Sequence, residues 1–215
     1  MQIAIPLFDR FTALDAVGPY EVLSRLPGAR VDFVAAEPGV IKTDTRMLAL
    51  DVERTFADVA RPDVLVVPGG TGTRQAMGDE QMLDWVRGVH EHSRFTTSVC
   101  TGSLILGAAG VLDGLDATTH WLYLELLEGL GARPVKQRVV EQGKVITAAG
   151  VSAGIDMALV LASRIESDDV ARAIQLQIEY DPQPPFDSGS PDKAPESVLR
   201  LVRGAEAAEH AAAQT

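Results

Sequence analysis

The chain has 215 residues, 46% of them hydrophobic, a formal charge of −11 and a pI of about 4.7. That length fits one domain, or at most two small ones, and the apolar content is enough for a sizeable core. The acidic balance argues against nucleic acid and anionic membrane as partners. Cys100 is the only cysteine, which excludes an internal disulfide and fits a reducing cytoplasm. Met1–Pro6 lacks the basic n-region and cleavage site of a signal peptide. No apolar run reaches the roughly 18 residues of a membrane helix. His90, His92, His120 and His210 do not stand with cysteine or acids at a zinc-like spacing, so neither a metal nor a cofactor is expected.

Gln2 to Leu7 reads as a short apolar strand stopped by Pro6 and Asp9. A helix follows, with Val17, Tyr20, Leu23 and Leu26 at helical spacing. Asp15 lies at its entrance, where it is either an N-cap, the commonest use of aspartate there, or a site residue. Residues 29–36 form a strand and 42–52 a hairpin or a pair of edge strands. Asp63–Val67 is a continuous apolar strand, the pattern of a parallel strand covered on both faces. It runs into Pro68-Gly69-Gly70-Thr71-Gly72, which allows a tight turn. The spacing is not the dinucleotide fingerprint. Gly69 and Gly70 therefore read either as backbone donors to an anion or as a plain turn. Asp79 caps an amphipathic helix that turns Met82, Leu83, Val86 and Val89 inward.

Phe95–Val99 is β-branched and extended, and it ends at Cys100, which leads at once into a small-residue helix closing near Gly110. A nucleophile at such a corner stands clear of the backbone. The helix-start amides of Thr101 and Gly102 favour negative charge there, so the sequence predicts a lowered thiol pKa. The competing reading is a small buried hydrophobe. Further on come Ala117–Trp121, a helix carrying Leu122, Leu124, Leu126 and Leu127, and a hairpin over 139–148 that turns at Gln142-Gly143-Lys144. Gly150–Gly154 opens an apolar helix, Ile155 to Ile165, buried almost all round. Asp168 to Ile178 is another helix, and 181–195 is an irregular segment with five prolines. A polar, alanine-rich helix over 197–213 is expected to lie at the periphery and to fray. The β-α-β…β-α-β-α order is that of a doubly wound α/β sheet. Such sheets bind ligands beyond the carboxyl ends of their strands. Cys100 and Gly70 follow strand ends and Asp15 follows the first strand, so all three can face one crevice.

Five motifs occur together: Leu14-Asp15-Ala16-Val17-Gly18-Pro19, Pro68-Gly69-Gly70-Thr71-Gly72, Ser98-Val99-Cys100-Thr101-Gly102-Ser103, Thr118-Thr119-His120-Trp121 and Gly150-Val151-Ser152-Ala153-Gly154-Ile155-Asp156. The combination resembles the ThiJ/PfpI (DJ-1-like) superfamily along nearly the whole chain. The stretch Leu176–Phe186 is similar to its isocyanide hydratase branch. The resemblance implies one flavodoxin-like three-layer domain over 1–215, usually paired as a homodimer. It implies Cys100 as nucleophile, Asp15 as its acidic partner, and the backbone of Gly70 and Thr101 as oxyanion donors. Val151 would wall the substituent of a small-molecule isocyanide, which a Cys100 thioimidate would convert to a formamide. Superfamily members resembling proteases carry histidine after the cysteine. Thr101 stands there here, which argues against peptidase activity. His120 is read either as a substitute base or as a residue below the site. Three other readings stand beside this one. They are glyoxalase- or deglycase-type chemistry on α-oxoaldehydes, an oxidative sensor built on Cys100, and the ligand-sensing half of a transcription regulator.

Overall fold

Alternation along the strands decides the layers. The computed structural model describes residues 1–212, and the expected helix end at Ala213 lies outside the described residues. Its strands are β1 (Gln2–Pro6), β2 (Arg30–Ala35), β3 (Gly39–Lys42), β4 (Ala49–Val52), β5 (Arg54–Thr55), β6 (Val64–Val67), β7 (Phe95–Val99), β8 (Asp116–Ala117), β9 (Arg133–Pro134), β10 (Val139–Gln142) and β11 (Val145–Ala148). Its helices are α1 (Ala13–Leu23), α2 (Thr73–Ala76), α3 (Glu80–His92), α4 (Gly102–Ala108), α5 (Leu124–Gly129), α6 (Ala153–Ile165), α7 (Asp168–Gln177) and α8 (Glu196–Ala212).

Seven strands form one sheet in the order β10-β11-β7-β6-β1-β2-β5. Only the β10–β11 pair is antiparallel. Side chains at alternate positions go to opposite faces. Ile3, Ile5, Val64 and Val66 pack with α1, α6 and α7, whereas Ala4, Leu65 and Val67 pack with α3, α4 and Leu127 of α5. The result is the expected α/β sandwich of three layers. From β1 the chain steps to β2 on one side, then returns to β6 and β7 on the other. The strand order therefore reverses beside β1, and that switch point opens a crevice at the carboxyl ends of β1, β6 and β7.

Several local expectations are refined. β1 ends at Pro6, as expected, with Pro6 itself paired in register with Val34. Leu7 donates to the Val34 carbonyl, so Pro6 faces the β6 side, where pairing has already ended at Ala4. Its missing N–H therefore costs no ladder bond. Of the four residues at helical spacing, Leu23 and Leu26 are buried and Tyr20 packs on the core, while the buried face of α1 also takes Ala16, Pro19 and Val22. Close packing on α6 selects small residues there: a Cβ at Gly18 would lie 3.2 Å from Ile155, and one at Gly154 3.3 Å from Pro19. The hairpin expected over 42–52 is the antiparallel β3–β4 ladder. The Asp79 carboxylate does cap α3, accepting from the N–H groups of Gln81 and Met82. The short β8–β9 ladder and α2 carry no periodicity that a sequence reading detects.

The described chain divides into two compact units, one over Met1–Glu179 and one beginning at Tyr180. The first holds the sheet and its helices. The second has no regular structure before α8, as its prolines predict. Among the described residues, no helix is long and apolar enough to cross a membrane.

Candidate active site

The elbow is built from the end of β7. Cys100 adopts φ +57°, a left-handed conformation that costs a non-glycine residue energy and persists only when its surroundings enforce it. Here they do. The Cys100 N–H donates to the Ala149 carbonyl at 2.8 Å. The Cys100 carbonyl accepts from the hydroxyls of Thr119 (3.0 Å) and Ser103 (3.2 Å). The sulfur is buried, with the residue 6% exposed. The backbone N–H groups of Thr101 and Val151 and the Thr101 hydroxyl turn toward it.

Asp15 comes from the first turn of α1. Its N-cap alternative is overturned: Thr12 holds the extended cap position, and the Asp15 side chain is directed into the crevice. Oδ2 accepts from the Gly69 N–H at 2.9 Å. Oδ1 is buried and accepts from no N–H or hydroxyl group among the described residues. Burial raises this carboxyl to about 7, against the lowering effects of the Gly69 N–H and the Cys100 thiol, and the Asp44 charge adds to the rise. The thiol is pushed up as well, first by burial and then by the Asp15 charge, against the Thr101 and Val151 donors. This corrects the expectation of a lowered thiol pKa. Helix α4 has only seven residues, and its start does not outweigh desolvation. Two groups that each resist ionisation in one buried site titrate as a pair.

The glycine turn after β6 brings these parts together, and both glycines are required by their surroundings. Gly69 approaches the elbow so closely that a Cβ would lie 2.4 Å from the Thr101 Oγ1 and 2.6 Å from its backbone nitrogen. Gly70 has φ +145°, and a Cβ there would meet the Arg10 carbonyl at 2.4 Å. The anion that Gly69 binds is thus the Asp15 carboxylate. The Gly70 N–H donates to the Thr101 hydroxyl at 3.0 Å, which also bonds to the Thr73 hydroxyl at 2.8 Å. Val151 reaches the sulfur through its backbone, while its partly buried side chain packs on the core. His120 sets its ring against those of Trp121 and Tyr123, with centroids 5.9 and 6.1 Å away. From its segment it is Thr119 that bonds the elbow. Sequence reasoning quoted Ser103 and Thr119 inside motifs but gave them no role, and it did not single out Thr73. A hydroxyl residue in a buried segment is the only signal they give.

A cavity of about 400 Å³ opens nearby at the ends of β1 and β2, lined by Leu7, Phe8, Ala35, Ile41 and Met82 among others. Cys100 and Asp15 do not line it. Among the described residues, no group of three or more histidine, cysteine or acidic side chains is arranged to hold a metal ion.

Sheet and elbow together define a class: doubly wound α/β proteins that present a cysteine at the switch-point crevice. The chain belongs to the DJ-1/PfpI family, whose model matches residues 1–164. It is 50% identical over 203 residues to the isonitrile hydratase of Pseudomonas putida, covering 94% of this chain and 89% of that one. The crystal structure of a ThiJ/PfpI family protein from Pseudomonas syringae superposes with a TM-score of 0.91 at 38% identity, over 97% of this chain and 86% of that one. DJ-1β of Drosophila melanogaster shares the fold, with a TM-score of 0.76 at 19% identity over 83% of this chain and 97% of that one.

Proposed function

We propose that the protein is an isocyanide hydratase, a cytoplasmic hydro-lyase that converts R–NC and water to the N-substituted formamide. The observation that carries the reading is the buried pairing of the Cys100 thiol with the Asp15 carboxyl. The half-identical hydratase relative supports it.

The pair holds one proton in its reactive form. Asp15 takes the thiol proton, and the thiolate sulfur attacks the terminal isocyanide carbon, forming a C–S bond. The same proton passes from Asp15 to that carbon, giving the thioimidate R–N=CH–S–Cys100. Water then adds to the carbon with Asp15 as base. The nitrogen is protonated and the C–S bond breaks, releasing R–NH–CHO and restoring the thiol. The Thr101 and Val151 amides, which face the sulfur, stabilise its charge. The Thr101 hydroxyl and the Gly70 amide bonded to it extend this donor set. A terminal isocyanide carbon is slender, which suits a sulfur with so little exposed surface. The Val151 side chain forms part of the wall for the substituent.

Turnover of a simple alkyl isocyanide tests the proposal. Cys100→Ala should abolish it, and Asp15→Asn should reduce kcat by about 10²-fold or more, the usual contribution of a positioned acid–base group. Wild-type rates in either variant contradict the assignment. Methylglyoxal run beside the isocyanide separates the deglycase reading, and it should not be consumed.

A further inference from the structure

The segment Thr118–Trp121 has no part in the chemistry above, yet it lies against the elbow from below. The Thr118 N–H donates to the Thr147 hydroxyl at 2.9 Å, which ties the segment to β11. The next residue, Thr119, is 1% exposed, and its hydroxyl donates to the Cys100 carbonyl at 3.0 Å across nineteen residues of chain. The Ser103 hydroxyl reaches the same oxygen at 3.2 Å from three residues on. That second bond is the local back-bond a helical serine makes unaided. The Thr119 bond is long-range, and the sequence forms it only through the tertiary fold.

The carbonyl they hold belongs to the peptide whose N–H is that of Thr101. The chain contains no cis peptide bonds. In a planar trans peptide the C=O and the following N–H point in opposite directions, so fixing one fixes the other. Drawing the Cys100 carbonyl down onto Thr119 and Ser103 therefore aims the Thr101 N–H at the sulfur, where its donation opposes the rise that burial imposes on the thiol. Because Cys100 is left-handed, this peptide sits in a strained turn, where rotation of the plane is an available relaxation. A rotated plane would turn the amide away and present the carbonyl oxygen to the reacting sulfur, replacing a donor with a repulsive acceptor.

We propose that Thr119 is a positioning residue that clamps the Cys100–Thr101 peptide so that its N–H faces the sulfur. The proposal deepens the hydratase reading and rests on it only for turnover. The clamp also governs the reactivity of the thiol itself, which is measured without substrate.

The experiment is alkylation of Cys100 by iodoacetamide as a function of pH, followed by intact mass, beside isocyanide kinetics. Thr119→Val keeps the shape and removes the donor. It should slow alkylation at neutral pH about tenfold, the effect of losing one hydrogen bond to a charged group, and should move the alkylation profile to higher pH. On the isocyanide, kcat should fall with little change in KM, because the amide acts on the reacting sulfur rather than on substrate binding. Thr119→Ser should restore both, and Ser103→Ala should shift both in the same direction by less. Alkylation and kcat at wild-type values in Thr119→Val overturn the clamp. If Thr119→Val does not fold, the Ser103→Ala profile decides, and a wild-type profile there overturns it equally. If wild type turns over no isocyanide while Thr119→Val slows alkylation as described, the hydratase reading fails and the clamp stands.

Discussion

At Asp15, the cost of function is visible in the stability of the fold. A carboxyl raised to about 7 binds a proton in the folded chain that the unfolded chain has already released. Folding stability therefore falls as pH rises from the unfolded value near 4 through about 7, and it stays lower above that point. Asp15→Asn removes the buried charge while keeping an oxygen for the Gly69 N–H. It should raise the melting temperature by several degrees at alkaline pH, with the gain vanishing on the acid side of the unfolded pKa. Thermal scans at the two extremes check this, and a gain that is the same at both ends contradicts the assigned shift. Cys100 shows where sequence reasoning stops at this scale. Its position on an elbow was legible from β-branched residues giving way to glycine. The direction of its pKa was not, because desolvation depends on what the other elements place over the sulfur.

The strands and the longer helices were legible because their periodicities are strong. The apolar run before Pro68 and the Asp79 cap of α3 both behave as local physics dictates. The spacing of Tyr20, Leu23 and Leu26 found part of the inward face of α1, but not its small residues. Gly18 and Gly154 admit a close approach that hydropathy scores poorly. The assignment of Gly69 depended on pairing two elements. A glycine amide after β6 reads as an anion site, but only the fold shows that the anion is a carboxylate from the first turn of α1, fifty-four residues away. The Thr119 bond to the elbow belongs to the same category of long-range contact, which no spacing rule encodes.

For the whole molecule, the doubly wound topology carries the functional argument. It brings Asp15, the Gly69-Gly70 turn and Cys100 together from three separate strand ends. Order of elements alone predicted this, since the switch point follows from connectivity. The state of assembly is a proposal: the protein forms a homodimer. The β3–β4 hairpin supports it by exposing three apolar side chains, Val40 at 66%, Met47 at 87% and Leu48 at 47%, for a partner to cover. Sedimentation should give about twice the 22.9 kDa chain mass. A single-chain mass at micromolar concentration contradicts it.

The most direct test of the shared proton is the pH dependence of kcat/KM for a small alkyl isocyanide. The reactive pair carries one proton, and the doubly protonated pair is inert. Activity should therefore rise as pH increases through about 7. It should hold above that point, because burial pushes the second proton, on the thiol, well up. The residual activity of Asp15→Asn should lack the step. A wild-type profile that is flat across that point, or falls on passing it, would contradict the pairing of Cys100 with Asp15.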